Sequence, residues 1–190
     1  MNRTDIYEKG KITKSSSGDI ATNIYFDAFK IEKVRFQNMD YPNKSSIDCY
    51  VSFEDLALLA TDVISGSLFE DLKAGPKTLS MGGTKSSKKY GGAPESRVMS
   101  IDMEENEVFL TMSSGKGNLT DTGLIIPEST VDKKITVTMH VNKFRSMIIY
   151  TYDCVRSYLT TMVSSIVDEL ENDRKKYLES NTTNTTEVSN

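Results

Sequence analysis

The chain has no tryptophan, one histidine, two cysteines and four prolines among 190 residues, and each scarcity excludes something. Two cysteines are too few for the disulfide framework of a small secreted domain. Cys49 falls on an expected strand and Cys154 in the last helix, so both are expected as reduced, buried thiols. His140 is alone, with no cysteine or second histidine at ligand spacing, which leaves neither a zinc site nor a Ser-His-Asp triad. No apolar run approaches the roughly 18 residues of a membrane span. Met1-Asn2-Arg3-Thr4-Asp5 lacks the apolar centre of a secretion signal, so a cytoplasmic protein without a membrane partner is expected. The acceptor-like Asn181-Thr182-Thr183 and Asn184-Thr185-Thr186 are then accidents of a polar tail. Positive charge is also lacking in total: the net charge is -4 and the pI about 5.2, a mild argument against nucleic acid.

Other catalytic patterns fare no better. Ser114-Gly115-Lys116-Gly117 lacks the Gly-Lys-Ser/Thr ending of a phosphate loop and precedes no helix. Asp102, Glu104, Glu105 and Glu107 cluster at a hairpin tip, where a solvated turn is a better reading than a two-metal site. A non-enzymatic protein with no cofactor and no metal is expected.

What is present is an ordinary globular composition, 37% hydrophobic and 26% charged, enough to build a core. Charge is unevenly placed. From Lys73 to Arg97 lie Lys73, Lys77, Lys85, Lys88, Lys89 and Arg97 against one acid, Glu95. A pattern also recurs. Ile47, Cys49, Val51 and Phe53 alternate along a strand that runs into a helix carrying Leu56, Leu59 and Ala60. Ile135, Val137, Met139 and Val141 do the same ahead of Phe144, Met147 and Ile148. Residue identities do not repeat, so the repetition is one of pattern.

Along the chain, residues 6–13 read as a first strand ended by Ser15-Ser16-Ser17-Gly18. Residues 24–36 are β-rich with a break near Phe29, Asp40 to Lys44 form a turn, and residues 47–51 a strand. Ser52 with Asp55 is a capping box for a helix reaching towards Gly75-Pro76. Residues 75–95 are glycine-rich, basic and poor in apolar anchors, and are expected as a flexible loop. A hairpin of 97–103 and 107–113 follows, then a polar loop from Ser114, a short strand at 123–127 and a clear one at 134–141. Asn142 caps the last helix, whose stripe runs from Phe144 to Leu170. Residues 173–190 have little to bury and are expected as a disordered tail. The class is α+β: two antiparallel β-sheets, each followed by a helix, in one domain, 1–172. Its half-units, about 5–74 and 96–172, would be joined by the loop 75–95.

This layout resembles the Whirly family of single-stranded DNA-binding proteins and the related transcription co-activator fold. Tyr7-Glu8-Lys9-Gly10-Lys11-Ile12 is similar to that family's Lys-Gly-Lys motif, and Val51 to Leu56 to its strand-to-helix junction. Val108 to Ser113, Gly123 to Pro127 and the strand into Phe144 match its second half in spacing. The resemblance implies a non-catalytic protein that binds single-stranded DNA with weak sequence preference, in replication, recombination or transfer. It also implies a homo-oligomer, a tetramer assembled through the helices. Such binding needs cations to follow phosphates and aromatic faces for unpaired bases. The candidates are Lys9, Lys11, Lys30, Lys33, Arg35, Lys85, Lys88, Lys89 and Arg97 for phosphate, and Tyr7, Tyr25, Phe36 and Tyr90 for bases. Tyr25 and Phe36 serve equally well as core residues, Lys9-Gly10-Lys11 as an edge-strand charge, and residues 85–90 as a solvated loop. Two alternatives stay open: an RNA-binding regulator on the same fold, and a structural or interaction protein of a mobile element.

Overall fold

The computed structural model, which describes residues 10–26, 32–128 and 130–186, turns the alternating first half into an antiparallel meander. Its strands are β1 (Lys11–Ser17), β2 (Ile20–Phe26), β3 (Lys33–Asp40) and β4 (Ser45–Ser52), paired in that order. β1 lies later than expected, because the hairpin turn is made by Gly18 in the left-handed region, φ +58, so the three serines remain in the strand. Tyr7 and Lys9 fall outside the described residues, as do Lys30 and the break near Phe29.

Ser52 caps α1 (Phe53–Ser65) as expected: its Oγ accepts from Asp55 N at 3.1 Å and donates to Asp55 Oδ2 at 2.7 Å. The helix does not run on to Gly75. Gly66, at φ +86, closes it by donating its N–H to Asp62 O, and α2 (Ser67–Ala74) starts afresh beyond it. A left-handed residue ends a helix at little cost only when it is glycine. The turn buries Leu68, Phe69 and Leu72, which a continuous helix would leave on another face.

The second half begins earlier than the sequence suggests. Residues 77–84, expected within a loop, form β5 (Lys77–Thr84) and pair with β6 (Glu95–Glu104). Apolar anchors are few there because β5 is an edge strand, held by its backbone ladder rather than by side-chain burial. Residues 85–94 fold around a short 3-10 turn, with Ser87 N donating to Ala93 O at 3.0 Å and Gly92 N to Ser87 O at 2.9 Å. β7 (Glu107–Leu119) continues through the expected polar loop at Ser114 to Asn118. It pairs with β6, with β8 (Ile125–Pro127) through its last three residues, and with β9 (Lys133–His140). Gly115 is required in that continuation: a Cβ there would stand 2.3 Å from Thr130 O.

Register explains where the core lies. On the inner face of the second sheet, rows across β6, β7 and β9 read Met103–Val108–Met139, Ile101–Leu110–Val137 and Met99–Met112–Ile135. All but Met103 are buried. The first sheet offers Ile24, Phe36 and Cys49 in one row and Val34 with Val51 in the next. Asn38 joins the sheets. Fully buried, it donates from Nδ2 to Leu110 O at 2.9 Å and Ile135 O at 3.0 Å, and accepts from Thr22 Oγ1 at 2.7 Å.

The chain divides into two compact units, 1–152 and 153–190. In the first, α3 (Val141–Thr186) begins with Phe144, Met147, Ile148 and Thr151 buried. Its start is held by His140 rather than by Asn142: the His140 Nδ1 accepts from Asn142 N at 3.2 Å. β9 ends one residue sooner than expected, which moves the cap back along the chain. The second unit is helical to Thr186, beyond the expected end near Asn172. Arg174, Lys175, Lys176, Leu178 and Glu179 favour helix, and an i,i+3 pair, Lys176 to Asp173 at 3.7 Å, supports the extension over that stretch. No helix among the described residues is long and apolar enough to cross a membrane.

Candidate nucleic-acid interface

The apolar rows of the second sheet run out at one end. The next inner row is Gly82, Arg97, Ser114 and Lys133, so the alternation that points Met99 and Ile135 into the core points two cations inward as well. They meet β4, the edge strand of the first sheet. Lys133 Nζ donates to Ser46 O at 2.9 Å, and Ser80 Oγ of β5 donates to Tyr50 O at 2.7 Å. Two hollows lie along this seam. One, of about 370 Å³, is lined among others by Lys33, Lys85, Arg97, Asp48, Tyr50 and Leu124. The other, of about 290 Å³, has Lys89, Arg97, Lys133, Asp48 and Glu95 in its wall. Arg97 and Asp48 belong to both, so the hollows adjoin along one grooved seam.

The groove is strongly biased in charge. Lys33, Lys85, Lys89, Arg97 and Lys133 stand against Asp48 and Glu95 in a chain with net charge -4. Arg97 Nη2 lies 3.3 Å from Glu95 Oε2, and Asp48 Oδ1 accepts from Gln37 Nε2 at 2.8 Å. Lys33 and Lys85 are exposed and make no ion pair among the described residues. At the rim, Tyr90 Oη donates to Asp132 Oδ2, and Lys89 Nζ sits 2.8 Å from Tyr90 Oη and 3.1 Å from the same carboxylate oxygen. The bond from Tyr90, reinforced by Lys89, holds the Asp132 carboxyl below its ordinary range. Lys89 is raised, first by its bond to Tyr90.

Comparison with protein-family models, with curated proteins and with solved structures finds no match. Meaning at this groove therefore rests on its own chemistry. Of the residues singled out from the sequence, Lys33, Lys85, Lys89 and Arg97 line it, with Tyr90 at its rim. Lys88 is exposed on the 3-10 turn and lines neither hollow. Lys11, Tyr25 and Arg35 form a separate group on the first sheet, where Arg35 Cζ lies 4.4 Å and Lys11 Nζ 5.8 Å from the Tyr25 ring centroid. Tyr25 is 5% exposed and Phe36 fully buried, so neither presents a ring face to a base here. Lys133 was missed by the sequence reading. Its signal was its phase, which continues the inward series Ile135, Val137, Met139.

Cys49 also lines the larger hollow. Burial pushes its thiol up to about 12, opposed by the Arg97 guanidinium and reinforced by Asp48. At about pH 8, a disulfide reagent is expected to label the half-buried Cys154 well before Cys49, since the thiolate is the nucleophile. Equal labelling rates in the folded chain would contradict the burial. The unfolded thiol ionises near its ordinary 9.0, whereas the folded one holds its proton to about 12. This contribution to stability is thus present below pH 9 and is lost as the pH rises through that window.

Proposed function

We propose that the chain is a non-catalytic, cytoplasmic protein that binds single-stranded DNA along the seam between its two sheets. The observation that carries this reading is the groove itself, in which five cations face Asp48 and Glu95, with Asp132 at the rim, in a chain of the opposite net sign. A polyanion is the ligand such a charge excess attracts, and the attraction is focused where the walls exclude water. The hollows suit unpaired nucleotides. A volume of about 370 Å³ is at the small end of ligand sites and takes a base, not a duplex. Tyr50, Met81 and Leu124 in the same wall supply apolar surface beside the cations. Backbone contact with such surfaces gives little sequence preference, which suits a role in replication, recombination or transfer.

The chain is further proposed to act as an oligomer of itself, with the tetramer favoured. On α3, Leu159, Met162, Val163, Ile166, Val167 and Leu170 are between 38% and 63% exposed. At 100° per residue they cover an arc wider than one partner helix fills, which favours a bundle of several.

Anisotropy with labelled oligonucleotides tests the reading, with light scattering on the same samples. Binding to unpaired DNA is expected to exceed binding to duplex and to weaken steeply between about 50 and 200 mM salt. The free chain is expected at a multiple of its 21.2 kDa. A preference for ribo-oligonucleotides would turn the assignment to an RNA-binding regulator. No binding at low salt would leave a structural protein, and a monomeric mass would end the assembly proposal.

A further inference from the structure

The rim of the groove carries a feature that plain charge attraction does not need. One carboxylate oxygen, Asp132 Oδ2, receives both the Tyr90 hydroxyl and the Lys89 ammonium. Two converging donors on a single anionic oxygen is the arrangement a phosphate oxygen would take between the same groups. Both sides are held in place. Asp132 is fixed by its own N–H, which donates to Ser114 O at 3.0 Å, and the 3-10 turn is closed by the bonds from Ser87 and Gly92. Lys89 lines the same hollow as Arg97 and Lys133, so the rim site is continuous with the groove.

We propose that Lys89 and Tyr90 form a phosphate subsite which Asp132 fills in the free chain, and that a phosphate of the bound strand takes the carboxylate's place. This rests on the reading of the groove as a single-strand site. Displacement is cheap because the pair is open to water: the Lys89 and Asp132 side chains are 52% and 36% exposed, and exposed ion pairs contribute little to stability. The incoming strand gains by releasing condensed counterions, which an isolated carboxylate does not offer. Asp132 thus acts as a built-in competitor. It keeps the two donors pre-placed, sets a threshold for weak or short anions, and yields to a polymer that engages the rest of the groove.

The test compares the full chain with Asp132→Asn, which keeps the shape and removes the charge. For an unpaired deoxy-oligonucleotide at about 50 mM salt, the variant is expected to bind roughly 3–10-fold more tightly. Its plot of log affinity against log salt should keep nearly the slope of the parent chain, changing by well under the roughly 0.7 of one phosphate contact, because the same phosphate is held in both complexes. The thermal midpoint should stay near that of the parent chain. Adding Lys89→Ala to the variant should abolish the gain. If the parent chain binds and Asp132→Asn binds equally or less well, the subsite is overturned while the groove stands. If neither binds DNA or RNA, the proposed function fails, and inorganic tripolyphosphate followed by NMR at the Lys89 and Tyr90 amides decides the subsite alone. Larger shifts in Asp132→Asn than in the parent chain support it, and no shift in either overturns it.

Discussion

Replacing Lys33, Lys85 and Lys89 together by Ala is expected to weaken single-strand binding by on the order of 10²-fold at about 50 mM salt and to flatten the salt slope by about 2. Each lysine is taken as one phosphate contact, and each contact on a single strand contributes roughly 0.7 to the slope. None of the three is buried, so the thermal midpoint should hardly move and a loss of binding cannot be put down to misfolding. A control with Lys14, Lys44 and Lys73 changed to Ala alters total charge equally but touches no wall of the groove. It should cost only a few-fold through the general field. Equal losses in the two triple variants would show that binding follows net charge rather than this site.

The largest stability effect is expected at Asn38. Changing it to Leu removes both donors to Leu110 O and Ile135 O and the acceptor for Thr22 Oγ1, all in a fully buried position. A buried polar group left without a partner costs about 1–3 kcal/mol. Three such groups, partly relieved by relaxation, give a loss of roughly 3–5 kcal/mol, or about 10–15 °C in the midpoint for a chain of this size. Thr22→Val, which removes one hydroxyl but leaves the two cross-sheet bonds, should cost about 1 kcal/mol. A loss below about 1 kcal/mol in Asn38→Leu would mean that apolar packing alone fixes the sheets. Because Asn38 holds the sheets in register at the level of β7 and β9, a variant that still folds should also bind DNA less well, as the seam loses its fixed width.

Much of the architecture was legible in local pattern. The capping box at Ser52 and Asp55, the hairpin of β6 and β7, and the alternation of β4 and β9 into their helices are short-range signals, and all three are present in the structure. The errors share a cause. β5 carries Thr78, Gly82, Gly83 and Thr84, and no local preference marks such a segment as a strand; pairing with β6 does. Residues 114–119 look like a loop for the same reason, yet their glycines are needed because Thr130 passes against Gly115, and Ile125 and Ser96 against Gly117. Gly66 ends a helix whose apolar stripe suggested continuation, since a stripe reports burial on average and not the direction of the axis. At the site, phase was the missed clue: Arg97 and Lys133 stand in register with core residues on their strands.

The sequence by itself determined the class, the two sheet-plus-helix halves and the uneven placement of charge, because alternation, caps and composition act over a few residues. Only the tertiary structure decided which cations belong together. Lys33, Lys85, Lys89, Arg97 and Lys133 are spread over 101 positions of chain and become neighbours where the edges of two sheets meet. The fold of the second half likewise set Asp132 against Lys89 and Tyr90, about 42 positions away in the chain. These are contacts between distant segments. Their geometry follows from how the strands pair and how the two sheets pack, and no local signal carries it.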